Sequence, residues 1–154
     1  MHLTVRTYVP GDADAFRRLN EEWIERHFRL EEKDRETLRN PQKIIDGGGQ
    51  ILMAYVDDEP VGCCALLRMD EDSFEVAKMA VTLRQQGRGF GRAVLAATIE
   101  EARKLGAKRL YLETNSSLTP AITLYRSLGF RDIPAERMPK SPYVRADVFM
   151  EMWL

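Results

Sequence analysis

Residues 73–92 read SFEVAKMAVTLRQQGRGFGR: a strand-like run, a polar loop, then a glycine-spaced turn at the head of a long helical pattern. Gly87, Gly89 and Gly91 fall at every second position of that turn. Glycine lets backbone N–H groups approach a ligand without side-chain obstruction. The first turn of a helix adds donors that lack intrahelical partners, together with the positive end of the helix dipole. Arg84, Arg88 and Arg92 put positive charge on the same turn. These features suit a diphosphate. The plainer alternative, a glycine-rich connection with no ligand, would leave three arginines repelling one another.

Two phosphate-binding patterns can be tested against the stretch. A P-loop ends in Gly-Lys-Ser/Thr, and no such ending is present. The dinucleotide fingerprint needs G-x-G-x-x-G/A. Counting from Gly87 its last position is Arg92, and from Gly89 it is Val94, so neither fits. Glu113 does fall where the ribose-binding acid of that fold is expected, but residues 83–86 separate the strand from the glycines.

The flanking chain gives the element order. Leu3, Val5 and Thr7 alternate with Thr4, Arg6 and Tyr8, predicting a first strand that Pro10-Gly11 breaks. Asp12 is predicted to cap a helix with Phe16, Leu19, Trp23 and His27 on its apolar side. The charged segment 30–39 predicts a second helix. Asn40-Pro41 restarts a short piece through Ile44 and Ile45, and Gly47-Gly48-Gly49 stops it. Strands over 51–56, 61–69 and 73–82, joined by short acidic turns, predict an antiparallel meander. Beyond the glycine turn, Val94, Leu95, Thr98, Ile99, Ala102 and Leu105 mark one helical face, ended by Gly106. A strand over 108–113 follows, then a helix capped by Thr119 and opened by Pro120, with Leu124, Tyr125 and Leu128 inside. A short strand over 130–133, a proline-bearing loop over 134–142 and a closing strand over 143–154 complete the order. This is a single α/β (mixed α+β) domain over residues 1–154, a size that fits one core.

Composition narrows the partners. The formal net charge is −1, which argues against a general nucleic-acid or membrane-surface binder. No apolar run approaches the ~20 residues that span a bilayer, and the first residues lack the basic-then-apolar order of a signal peptide. A cytoplasmic location is expected. Cys63 and Cys64 are sequence neighbours, a poor disulfide pair, and read as small core residues. No His/Cys cluster has metal spacing, and no Ser-His-Asp or Cys-His set stands out.

The stretch Gln86-Gly87-Arg88-Gly89-Phe90-Gly91 resembles the Q/R-x-x-G-x-G/A signature of the GNAT acetyltransferase superfamily. The stretch 121–130, AITLYRSLGF, resembles its second signature, A-I-x-L-Y-x-x-x-G-F, and the element order resembles the GNAT fold from end to end. The resemblance implies a central, mostly antiparallel mixed sheet of about seven strands, helices on both faces, and a splay between the fourth and fifth strands. It also implies acetyl-CoA as cofactor, no metal, and acyl transfer to an amine. The backbone of Gln86, Gly87, Arg88, Gly89, Phe90, Gly91 and Arg92 would then bind the CoA diphosphate, and that of Met79, Ala80 and Val81 the thioester arm. Tyr125 falls on the superfamily tyrosine that lies near the thiol sulfur, where its hydroxyl could donate a proton to the leaving thiolate; a helical tyrosine packed in the core with its hydroxyl solvated is the other reading. Glu75 falls where some members carry a catalytic glutamate; a structural or substrate-binding acid paired with Lys78 or Arg68 is the other reading. The asparagine usual three residues before Ala121 is Leu118 here, and Asn115 is the nearest residue able to replace its contact with the cofactor arm.

The first two helices and the last hairpin shape the acceptor site in this superfamily. Trp23, Phe28 and Glu31 on one side, and Tyr143 and Arg145 on the other, are the candidates; each also reads as a core or solvated-surface residue. Aromatics with acids suit a cationic amine, whereas Arg145 suits a carboxylate. The expected reaction is acetyl transfer to a primary amine of a small molecule by direct attack in a ternary complex. A protein amine, or a non-catalytic acyl-CoA sensor, are the alternatives. A homodimer through the exposed edge of the closing strand is a further expectation.

Overall fold

The computed structural model describes residues 2–85 and 87–154. Seven strands form one sheet in the order β1-β2-β3-β4-β5-β7-β6: β1 Leu3–Thr7, β2 Gln50–Val56, β3 Glu59–Arg68, β4 Ser73–Val81, β5 Arg109–Thr114, β6 Arg131–Asp132 and β7 Val148–Trp153. Helices α1 Ala13–His27, α2 Glu32–Arg39 and α3 Gln42–Asp46 precede β2, while α4 Phe90–Lys104 and α5 Thr119–Ser127 flank β5. The mixed α/β architecture is the one the element order predicts.

Period-two alternation divides the core between the two faces of the sheet. Phe74, Val76, Leu110 and Leu112 face α4, where they meet Val94, Leu95 and Ile99. Ile51, Met53, Cys63 and Ala65 face Phe16, Leu19 and Leu38 of α1 and α2. Cys63 and Cys64 therefore sit on opposite faces as free thiols, each without exposure.

All strand pairs are antiparallel except β4 with β5, which is parallel. That pair is brief: Ser73↔Arg109, Phe74↔Leu110 and Glu75↔Tyr111 are its register partners, after which the strands part. On the other edge of β4, Ala65 faces Ala77 and Cys63 faces Ala80, so Lys78 and Met79 share the space opposite Cys64. This is a β-bulge. Lys78 takes a positive φ within it, a left-handed conformation uncommon outside glycine. The splay and the bulge lie on the same strand and create the cleft described below.

Several sequence expectations change in detail. Asp12 precedes α1 but makes no cap hydrogen bond; its carboxylate accepts from Arg6, from the Val9 amide and from the Tyr55 hydroxyl. His27 is exposed and its ring lies tilted against Trp23 with centroids 4.3 Å apart, and Ile24 takes the buried position. Leu105 ends α4 at the surface, and Leu118 rather than Thr119 occupies the cap position of α5.

The closing strand begins at Val148, not at 143. Residues 143–147 are drawn out of the sheet by side chains: Asn115 Nδ2 donates to the Arg145 carbonyl at 2.7 Å, and the Arg145 guanidinium reaches α2. The strand is flanked on both sides, by β5 and β6, so the free edges are β1 and the two-residue β6. The dimer contact expected at an exposed edge of the closing strand has no such edge to use.

Candidate active site

Where β4 and β5 part, the sheet opens into a cleft of about 610 Å³. Gly87, Gly89, Phe90, Gly91 and Arg92 line it together with Met79, Ala80, Val81, Leu124 and Tyr125. Glu75, Lys78, Glu113, Asn115, Trp23, Phe28, Tyr143 and Arg145 line it as well. From Glu75 to Val81 an extended strand covers about 20 Å at ~3.3 Å per residue, so β4 separates an acid end from a glycine end.

At the glycine end, Gly87 and Gly89 both take positive φ, a left-handed backbone that an L side chain disfavours. A Cβ at either would touch nothing within 4 Å. The requirement is therefore conformational rather than one of crowding. A Cβ on Gly91 would stand 3.7 Å from Leu124 and 3.9 Å from Met79 and Val81, all cleft residues, so glycine keeps the passage open there. Gly89 is the cap residue of α4. The first amides of that helix lack intrahelical acceptors and border the cleft. Such a cradle fits a diphosphate. Arg92 lines it and donates to Ser127 Oγ at 2.8 Å, whereas Arg84 is paired with Glu59 outside the cleft. Arg88 sits in the exposed turn between the two left-handed glycines. Gln86, the first residue of the predicted cradle, lies outside the described residues.

In the middle, the edge of β4 beyond Glu75 has no strand beside it, so main-chain groups on that edge border the cleft. Tyr125 projects from α5 with its ring edge on Phe130 at 6.0 Å. Its hydroxyl has no hydrogen-bond partner among the described residues. Burial, with the nearby Cys64, raises its pKa, so the phenol keeps its proton at neutral pH. Asn115 is already occupied, donating to the Arg145 carbonyl of the loop after β6 and accepting from the Ser117 amide of its own loop.

At the acid end, burial and then the Glu113 carboxylate push Glu75 up to about 7, with Lys78 and Lys33 pulling the other way. Glu75 pairs with neither Lys78 nor Arg68. Lys78 Nζ instead donates to Asp34 Oδ1 at 2.7 Å and to the Tyr143 hydroxyl at 3.0 Å. Arg145 grips the same carboxylate through Nη1 at 2.8 Å and Nη2 at 2.7 Å, and reaches Glu31 at 3.3 Å. Asp34 has no exposure. Burial alone would raise its pKa, but the hydrogen bonds from Arg145 and Lys78 outweigh it and hold the carboxyl at about 2. This clamp ties α2 to the β4 bulge and to the loop after β6.

Trp23 and Phe28 stand in the wall of the cleft, and Glu31 is joined to that wall through Arg145 and the Val144 amide. Asn20 was not legible as a site residue. Asp34 stood in the helical segment expected to shape the acceptor site but read as solvated helix face, and Glu113 was weighed only as a ribose-binding acid. The usable signal for Glu113 was its position on the face of the parallel strand that also carries Glu75.

The model of the acetyltransferase (GNAT) family matches residues 14–130. The chain belongs to that family. The match covers the glycine cradle, β4, β5 and Tyr125, and stops before the loop that bears Tyr143 and Arg145. The N-acetyltransferase YvbK of Bacillus subtilis (strain 168) is 34% identical over 83 residues, 54% of this chain and 54% of its own length. The chain thus spans about half the length of the curated relatives it matches. A GNAT-family acetyltransferase from Staphylococcus aureus Mu50 has the same fold, with a TM-score of 0.88, 19% identity and 99% of both chains covered. A GNAT-family acetyltransferase from Elizabethkingia anophelis with acetyl-CoA bound aligns over 99% of this chain and 98% of its own, with a TM-score of 0.67 and 19% identity. Among the described residues no group of three or more His, Cys, Asp or Glu is placed to hold a metal, and no helix is long and apolar enough to cross a membrane.

Proposed function

We propose that this GNAT chain transfers an acetyl group from acetyl-CoA to a primary amine, admitting the two reactants from opposite ends of the β4 cleft. The observation that carries this reading is the single cavity that joins a left-handed glycine cradle to a near-neutral carboxylate, with a protonated tyrosine between them. Gly87, Gly89 and the first amides of α4 would hold the diphosphate, with Arg92 beside them. The open edge of β4 at Met79, Ala80 and Val81 would hold the pantetheine arm. Bound acetyl-CoA supplies an activated acyl group, and main-chain N–H donors on that edge would stabilise negative charge developing on its carbonyl oxygen.

Glu75 removes a proton from the incoming ammonium, directly or through water; a base titrating near 7 is matched to that task. Tyr125 then donates its phenolic proton to the departing sulfur. The acceptor is a small molecule, because side chains of α1 and of the loop at 143–147 narrow the acid end. Trp23, Phe28, Tyr143 and Arg145 line it, and Glu31 braces Arg145.

The test is thiol release from acetyl-CoA by purified protein over a panel of amines, amino acids and peptide amides. Amine-dependent release is the expected result. Tight CoA binding with no amine-dependent release would instead make the chain a CoA sensor without turnover.

A further inference from the structure

The cations at the acid end of the cleft are already matched, and its anions are not. Lys78 and Arg145 are both bound to Asp34, and Arg145 also reaches Glu31, so neither offers an uncompensated charge to a substrate carboxylate. Glu113 lies two residues beyond Tyr111, the register partner of Glu75, and therefore on the same face of the sheet. The Tyr111 hydroxyl donates to it at 2.7 Å, and the Ser141 hydroxyl donates to its other oxygen. Two neutral donors fix its direction and bring no countercharge. Among the described residues no ion pair reaches Glu113 or Glu75.

A second observation comes from α1. Asn20 on α1 is 1% exposed and lines the same cleft. Its amide nitrogen donates to the Phe16 carbonyl at 3.0 Å and to Cys63 Sγ at 3.4 Å, while Oδ1 receives no donor from any described residue. Buried acceptors are ordinarily satisfied, so this oxygen is left for an N–H donor of a ligand or for a water in the cleft. Trp23 and Phe28 supply an apolar wall for the methylene groups of such a ligand.

We infer that the acceptor is a primary amine carrying a second cationic group and no neighbouring carboxylate, and that Glu113 is the residue selecting for that second cation. The inference rests on the acetyl-transfer reading for the fate of the first amine. It assigns Arg145 to the wall of the site rather than to a substrate carboxylate. Glu113 also anchors the loop after β6, because Ser141 accepts from the Tyr143 amide at 3.0 Å, and charge-specific readouts separate selection from anchoring.

The experiment is calorimetric titration of the protein saturated with coenzyme A, which cannot turn over, using butylamine, 1,4-diaminobutane and 4-aminobutyrate. The expected order is diamine first, ahead of butylamine by about tenfold, with 4-aminobutyrate last; tenfold corresponds to ~1.4 kcal/mol. Glu113→Gln is expected to collapse the diamine-to-butylamine ratio, and Glu113→Asp to retain part of it, with circular dichroism confirming that both variants fold. Equal binding of diamine and butylamine, tighter binding of 4-aminobutyrate, no binding of the diamine, or an unchanged ratio in Glu113→Gln would each overturn the inference. Alaninamide and lysinamide form a second arm: with the diamine preferred over butylamine, lysinamide ahead of alaninamide points to a polypeptide source of the second cation, and no such preference to a free polyamine-like acceptor. Thiol release with the same amines separates the two readings. Diamine-selective binding without acetylation defeats the transfer reading and leaves the selection standing. Acetylation without selection does the reverse.

Discussion

Glu75, as the proposed base, would couple stability to chemistry at one position. Its carboxyl is raised from 4.5 to about 7 by burial and by Glu113. The folded state therefore binds its proton more tightly than the unfolded chain, and that stabilisation is lost as pH rises through about 7. Glu75→Gln, which cannot ionise, is expected to gain stability over the wild type near pH 8 but not near pH 4, as read by thermal melts at both. Its turnover is expected to fall ~10²–10⁴-fold with CoA affinity retained. The wild-type rate is expected to rise through about pH 7 with a limb that the variant lacks. Tyr125 is proposed for the complementary role. Tyr125→Phe is expected to lower kcat ~10²-fold or more while leaving the Kd for CoA within a few-fold. An unchanged kcat would make Tyr125 a packing residue.

At the scale of elements, the turn before α4 and the bulge in β4 do most to build the site. Gly89→Ala meets no steric obstacle but must hold the positive φ of the native turn. A left-handed conformation costs an L residue about 1–2 kcal/mol. Weaker CoA binding with an intact far-ultraviolet spectrum is expected. Asp34→Asn leaves Lys78 and Arg145 facing a neutral partner. Breaking a buried pair of this kind costs about 3–5 kcal/mol, so a fall in Tm on the order of 10 °C is expected. Asp34 is held at about 2, so its contribution should persist above the ordinary carboxylate range and disappear as pH falls through about 2.

These elements also show what was legible in the chain. Alternation, glycine stops and two signatures were enough to place every strand and helix, because each depends on local periodicity. The clamp was not legible, because Asp34, Lys78 and Arg145 are brought together by tertiary packing across three separate elements. The start of β7 was misplaced for the same reason: residues 143–147 alternate as a strand would, but Arg145 is held by α2 and Asn115. The bulge at Lys78 interrupts an otherwise regular pattern, and its left-handed φ carries no glycine to announce it.

At the scale of the whole molecule, the sheet is covered on both faces, and the brief β4–β5 pairing makes an opening that reaches between those layers. The glycine cradle and the acid end lie toward opposite ends of β4, joined by one cleft. The most direct measurement is product accounting: thiol release and N-acetylated product quantified together in one reaction of protein, acetyl-CoA and a primary amine. Equal amounts of thiol and N-acetyl amine, both dependent on the amine and both lost in Glu75→Gln, are the expected result. Thiol release without acetylated amine, or CoA binding with neither product, would contradict acetyl transfer in this cleft.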